Sequence, residues 1–454
     1  MSTDNFMSPT HIVYASFDRF PSPKGAATHI EAFISALGQR FGNVDLITIP
    51  SENLEQVHQE QEVIALPDLV NKISVDHAAN APVWSASGVT HHPLLSPGDH
   101  LFERVLSFRS QIWNWWRRRF TEANTVVPVV HFRSIYEGYP IARQKTLFCR
   151  QLVFEVNGLP SIELKYRYPR VAEDDELLQK LRHQEQVCLD AADLILTVSQ
   201  VNAEHLISRG VAANRICVIS NGVDLEMFSY QQPQEISRDT LSEESPLKML
   251  YSGTMSAWQG VTVAMESLAL LRRDFPATLT MVGHASTRQK KELLNRAWEL
   301  GVHDNVQILD PVDKPTLVDL HHQADVIVAP LTRNDRNLVQ GCCPLKVLEA
   351  MASGTPLIAS DLPVVRELVT NEIQALLVRP GSAKSLKDAM LRLIIEPNEG
   401  QRLSLAARAH VEEKYSWDRA KDALIAAYEG LEVADHFSDN LDSSSPSRSA
   451  STPS

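Results

Sequence analysis

Apolar and polar positions along this chain change period in a repeating order. Residues 11–17 alternate and are rich in branched side chains, which predicts a strand, and 18–25 follow as a loop. Ile30, Phe33, Ile34 and Leu37 then recur at helical spacing, and 44–49 reads as a second strand. Strand, loop, helix and strand form the opening of a parallel α/β sheet. Further strands are predicted at 126–132, 152–156, 194–199 and 216–220, with a helix over 173–192.

Residues 229–246 (SYQQPQEISRDTLSEESP) are polar and carry turn formers, so they read as a linker. From Lys248 the alternation resumes, with strands predicted at 249–252, 278–282, 306–309, 326–329 and 356–359 and helices between them. Beyond Gly381 only helices are expected. The end of the chain, from Asp435, is rich in Ser, Asp and Pro and reads as disordered. Internal repeats are absent. Two Rossmann-like halves facing each other across a cleft are therefore expected, with ligands beyond the carboxyl ends of the strands. Such a fold names no reaction.

Bulk properties narrow the class. A chain of 454 residues exceeds one ordinary core, and 44% hydrophobic residues is a globular composition. A net charge of −13 argues against a general nucleic-acid binder. The first residues, MSTDNFMSPTHIVYASF, do not read as a secretion signal, and no run is apolar enough to span a membrane. Cys149, Cys188, Cys217, Cys342 and Cys343 lack metal-ligand spacing and fit reduced thiols of a cytoplasmic protein. Cys342 and Cys343 are adjacent, and neighbours bridge only with strain, so buried small side chains are expected there.

The most informative stretch is NLVQGCCPLKVLEAMASGTPLIASD, from Asn337 to Asp361. Pro344 fits the first turn of a helix and Gly354 its far cap. Leu345, Leu348, Met351 and Ala352 would pack on the sheet, leaving Lys346 and Glu349 together on another face. Unpaired N–H groups and the dipole at the helix start suit a diphosphate, with Lys346 adding charge and Glu349 placed for ribose hydroxyls. A surface Lys–Glu pair gives the same spacing.

PLKVLEAMASGTPLIASDLPVVREL resembles the donor-site signature of retaining glycosyltransferases of family four, in the GT-B class. In that family the glutamate of LEAMA binds the nucleotide ribose, which implies this role for Glu349. NGVDLEMF (221–228) resembles the family's segment at the end of the N-terminal domain. LYSGTMSAWQGV (250–261) resembles the first strand and loop of the C-terminal one, which puts Gly253 and Gln259 at the donor. MVGHAS and NVQILDPV resemble the base-binding elements, with Asp310, Pro311 and Val312 in the base loop. YSWDRAKDALIAAYEGL resembles the helix that crosses back to the N-terminal domain. The resemblance covers roughly residues 11–430. It implies an N-terminal acceptor domain (1–228), the linker (229–246), a donor domain (247–414), a closing helix (415–432) and a tail (433–454). It also implies a nucleotide-sugar donor, a saccharide, lipid-linked or small-molecule acceptor, and no metal or other cofactor.

Three departures stand out. Gly341 replaces the first of the family's two glutamates, and the N–H groups of Cys342 and Cys343, with Pro344 and Leu345 beside them, are left at the sugar. Gln259 stands where a phosphate-binding lysine is usual; Lys346, with Arg333 or Arg336, is the expected compensation. Asn157 or Gly158 replaces a sugar-holding histidine, leaving Asn157 and Glu155 as hydrogen-bonding groups. These departures also motivate a catalytically silent GT-B subunit that binds a partner. A sugar-nucleotide epimerase is a further alternative, which the PLK and NGVD segments fit less well.

On the facing side, Lys24, Gly25, Ala26 and neighbours form a small-residue loop running into a helix, which suits a ligand or an ordinary tight turn. Arg133 follows a strand at the cleft end and reads as an acceptor or phosphate contact, or as an exposed arginine without a ligand. Residues 157–169 mix Lys165, Tyr166, Arg167 and Tyr168, as an acceptor surface or a solvated loop would. Residues 102–120 (FERVLSFRSQIWNWWRRRF) place Phe102, Val105, Leu106, Ile112, Trp113, Trp116 and Phe120 on one stripe ending in three arginines. A core helix with solvated arginines accounts for this, and so does a peripheral helix at the inner face of a membrane.

Overall fold

The computed structural model describes residues 11–22, 25–51, 84–120, 126–396 and 398–442, with side chains to 431. The first sheet contains β1 (Ile12–Arg19), β2 (Val44–Ile49), β3 (Val89–Pro93), β4 (Val127–Phe132), β5 (Cys149–Val156), β6 (Leu194–Thr197) and β7 (Ile216–Val218). They are all parallel, in the order β3-β2-β1-β4-β5-β6-β7. The second contains β8 (Leu247–Ser252), β9 (Ala277–Val282), β10 (Val306–Leu309), β11 (Val326–Ala329), β12 (Leu357–Ser360) and β13 (Leu376–Val378). Their order is β10-β9-β8-β11-β12-β13, again parallel.

Both sheets therefore have the Rossmann arrangement, reversing direction beside their first strand. Parallel sheets covered on both faces need apolar runs, and β2, β6, β11 and β12 are buried at every position. The reversals lie between β1 and β4 and between β8 and β11, and the loops leaving these strands form the site described below.

Two strands were not predicted. β3 reads VTHHP, where polar residues hide the strand period, and β13 is only three residues long. The helix predicted at 173–192 runs Asp175–Ala191, because the Asp174 side chain accepts the Leu177 N–H and starts it there.

The segment expected as a linker lies against the C-terminal domain, where the Gln231 N–H donates to the Ser353 carbonyl. The chain then returns. Val223 N–H donates to the Tyr415 carbonyl, and a Cβ on Gly222 would stand 2.4 Å from the Trp417 nitrogen, so the crossover is closely packed. The last helix, Trp417–Asp442, carries Ala420, Leu424, Tyr428 and Leu431 into the apolar cluster of Ile12, Tyr14, Ile30 and Phe33. It runs ten residues past the boundary expected at 432; no Gly or Pro stands between Leu431 and Asp442 to break it. Residues 443–454, the rest of the expected tail, lie outside the described residues.

Candidate active site

The site is built around the helix Leu345–Ser353, between β11 and β12. Pro344, with φ −73° and ψ 109°, caps this helix instead of occupying its first turn as expected. Gly354 ends it at φ +88°, where a Cβ would meet the Gln231 carbonyl at 2.3 Å. At the start, the N–H groups of Cys342, Cys343, Leu345 and Lys346 have no hydrogen-bond partner among the described residues. Four free donors at a helix start make an anion-binding arrangement.

Lys346 is buried at the first turn. Its Nζ donates to Gln259 Oε1 at 2.8 Å and lies 4.0 Å from the ring centre of Tyr251. A Cβ on Gly253 (φ +135°) would stand 2.8 Å from that Nζ, so glycine makes room for the ammonium. Burial pulls the Lys346 pKa down to about 7, against the opposing pull of Glu349. Glu349, one turn on, is half-buried and has no hydrogen bond or ion pair among the described residues. Burial raises its carboxyl to about 7. The Lys–Glu spacing is thus not a surface ion pair.

The ends of β8 and β9 form the floor. A Cβ on Gly283 (φ +144°) would meet the Gly253 carbonyl at 2.0 Å, and the Gly283 N–H donates to the Leu309 carbonyl. Asp310 and Val312 follow directly. Asp310 is exposed and paired with Lys290 at 2.6 Å, while Val312 packs against the cluster that includes Val347 and Leu348. Gln259 is aimed at Lys346 by a tight turn: Gly260 has φ +73°, and a Cβ there would meet the Pro330 carbonyl at 1.8 Å.

Across the cleft, the helix Gly25–Phe41 begins opposite Leu345, and a Cβ on Gly25 would stand 2.9 Å from Leu345 Cδ1. The starts of the two helices therefore pack against each other. Ala26 turns its carbonyl toward Arg133 Nη1 at 3.5 Å; Lys24 lies outside the described residues.

Arg133 is buried, contrary to the reading of an exposed arginine without a ligand. It donates to Glu155 Oε1 and to Asp18 Oδ2, each at 2.8 Å. Glu155 is equally committed. It accepts from Tyr14 at 2.8 Å and from the amide of Asn157, pairs with His131 at 3.0 Å, and has His29 at 3.1 Å. Burial would raise its pKa, but Arg133 and His29 hold it well below the usual carboxylate range. Glu155 is therefore unavailable to a sugar hydroxyl, and Asn157 keeps its carbonyl oxygen. His131 also meets the Tyr428 hydroxyl at 2.6 Å, which ties this buried anion to the crossing helix.

Residues 335–343 join the domains. Arg336 donates to Glu163 at 2.9 Å and lies over the Trp258 ring, so it is not the free cation expected near the phosphates. Arg333 is exposed with no hydrogen bond or ion pair among the described residues, and it keeps that possibility. Gln340 donates to Glu163 and accepts from the Leu159 N–H, and Asn202 donates to the Gln340 carbonyl at 2.6 Å. Lys165 and Tyr166 both bond to Asp335, so they serve the domain contact and not an open acceptor surface. Gly341 has φ +79°, and a Cβ there would meet Ser199 Oγ at 2.5 Å and the Asn202 nitrogen at 2.8 Å. A glutamate does not fit in this arrangement, which explains the first departure sterically.

Sequence reasoning missed Asp18 and Tyr251. Tyr251 lies in the strand LYSGT, where alternation marks it only as an interior residue. All five cysteines are free, as expected. No group of three or more His, Cys, Asp or Glu side chains among the described residues is arranged to hold a metal ion.

Residues 232–410 match the family model of glycosyl transferases group 1, and residues 23–227 that of glycosyltransferase family 4. The D-inositol 3-phosphate glycosyltransferase of Xylanimonas cellulosilytica is 29% identical over 54% of this chain and 58% of that protein. The one from Actinosynnema mirum is 26% identical over 66% and 72%. The chain thus spans little over half the length of several curated relatives it matches. Among solved structures, sucrose-phosphate synthase of Thermosynechococcus elongatus superposes with a TM-score of 0.70 at 19% identity, covering 93% of this chain and all of that one. Anabaena Alr3699/HepE, solved in complex with UDP-glucose, gives 0.67 at 15% identity over 92% and 100%. At such identities the likeness is one of fold, and the fold is GT-B.

Proposed function

From the premise that this chain belongs to the group 1, family four glycosyltransferases, its two halves matching the two family models, we propose that it is a retaining, nucleotide-sugar-dependent hexosyltransferase. One observation supports the reading: buried Lys346, and Glu349 with no hydrogen bond or ion pair among the described residues, lie on the first turns of a helix whose leading N–H groups are also without partners there. The diphosphate would lie on those N–H groups with Lys346 beside it, and Glu349 would accept hydrogen bonds from the ribose. The UDP-glucose complex of Anabaena HepE, a protein of the same fold, supports a donor of this class.

No side chain at the cleft is needed as a covalent nucleophile in this reading. The leaving diphosphate takes the acceptor's proton while the anomeric C–O bond to the nucleotide breaks and the new bond forms on the same face. The protein supplies position and stabilises the charge that develops on the phosphate. The acceptor is a saccharide, a lipid-linked saccharide or a small molecule; the inositol phosphate acceptor in the relatives' names is one to include.

The test is to incubate the purified protein with UDP-, GDP- and ADP-hexoses and those acceptor classes, following products by NMR. Nucleoside diphosphate release with a new glycosidic bond in the donor's anomeric configuration supports the reading. An inverted product, or no turnover of any donor, contradicts it.

A further inference from the structure

The helix Leu101–Phe120 divides its apolar residues in a way the sequence stripe did not predict. Val105, Phe108, Ile112, Trp116 and Phe120 are buried in the N-terminal domain and account for its place in the fold. Phe102, Leu106 and Trp113, four and seven residues apart on a neighbouring face, are 41%, 64% and 43% exposed. The Trp113 ring packs edge-on against Phe148 at 5.6 Å, and Leu147 beside Phe148 is 64% exposed. Single exposed apolar residues are ordinary, but three on one helix face, with Leu147 next in sequence to the ring partner of Trp113, need an explanation.

Charge says what covers it. The helix carries five arginines against one glutamate in a chain of net −13, but Arg104 is turned to the Ser96 carbonyl and Arg109 to the Ile135 and Tyr136 carbonyls, so the outward charge lies at its last turn. Glu103 turns its carboxylate back to the Asp99 and His100 N–H groups. Arg119 is held by Asp45. Arg117 and Arg118 are exposed, and among the described residues Arg118 hydrogen-bonds only the Asn114 carbonyl of its own helix. Arg117 stands four residues beyond Trp113, so it continues the exposed apolar row. A row of Phe, Leu and Trp ending in solvated arginines matches the interface of an anionic bilayer, where rings and aliphatic groups enter the headgroup boundary and arginines meet phosphates. No helix among the described residues is long and apolar enough to cross a membrane, so such contact is peripheral.

We propose that the face of Phe102, Leu106, Trp113 and Leu147, with Arg117 and Arg118, docks this protein on anionic phospholipid. The inference is independent of the reaction assigned to the cleft.

The test is sedimentation of the full chain with vesicles of phosphatidylglycerol in phosphatidylcholine, against vesicles of phosphatidylcholine alone. Binding to the anionic vesicles that weakens with added salt is expected. Arg117→Ser/Arg118→Ser should weaken it roughly fivefold per arginine. Leu106→Ser/Trp113→Ser should also release the protein, with at most a small fall in melting temperature, since Leu106 is mostly exposed and Trp113 gives up only its edge contact with Phe148. Equal binding to both vesicle types, no binding to either, or no effect of the substitutions overturns the proposal. So does a dimer in sedimentation equilibrium that Leu106→Ser/Trp113→Ser dissolves, since a second copy would then cover the face.

Discussion

Lys346 donates a hydrogen bond from Nζ to the side-chain oxygen of Gln259 at 2.8 Å, so a buried ammonium faces a neutral amide. Gln259, at a position where the family usually has a lysine, therefore removes one cation and at the same time positions another. A second lysine there would set two positive charges within hydrogen-bond distance in a buried site, and like charges at that range disfavour ionisation. Lys346→Ala should lower turnover roughly tenfold or more, the scale of losing one contact to developing charge. Steady-state kinetics checks this, and unchanged turnover contradicts it.

Lys346 and Glu349 both titrate near 7, and they impose opposite limits. The diphosphate needs Lys346 charged, so donor affinity should fall as pH rises above 7. The ribose needs Glu349 ionised, so affinity should also fall as pH drops below 7. A bell centred near neutrality is expected from calorimetric titrations across pH. Lys346→Arg should extend the alkaline limb and Glu349→Gln should remove the acid one. A flat profile in the wild type contradicts both assignments.

Gly341 is a steric requirement of the domain contact and not an incidental loss. Gly341→Glu places a side chain at φ +79° against Ser199 and Asn202. The backbone conformation alone, a positive-φ extended region that favours glycine, costs about 1–3 kcal/mol. The substitution restores the residue many family members carry, yet it should lower the melting temperature and open the domains, seen as an increased radius of gyration in solution scattering. A melting temperature and radius equal to wild type would show that the contact yields easily.

Glu155 is the buried anion on which Arg133, His131 and Tyr14 converge. Glu155→Ala leaves buried Arg133 with Asp18 as its one charged partner among the described residues, and breaking such a pair costs about 3–5 kcal/mol. Chemical denaturation measures this loss. A change below about 1 kcal/mol would show that Asp18 alone satisfies the arginine.

The alternation of strands and helices was readable because parallel strands buried on both faces need apolar runs, and the donor helix because its Pro and Gly punctuate it. The partners of charged groups were not readable. Arg133 and Glu155 stand 22 residues apart, and only the neighbouring register of β4 and β5 brings them together. Arg336 looks like a spare cation near the phosphates until the domains close and Glu163 takes it. β3 escaped because its histidines, bonded to Thr48 and Asp45, are polar residues inside a strand. In each case the deciding contact comes from a distant segment, where local periodicity carries no signal.

The most direct test of the donor site is a thermal-shift titration with UDP-, GDP- and ADP-linked sugars, on wild type and Glu349→Gln. Stabilisation by one nucleotide class, weakened in Glu349→Gln, is the predicted result and would identify the base as well. Equal stabilisation of both proteins would remove Glu349 from the ribose, and no stabilisation by any donor would contradict the nucleotide-sugar site itself.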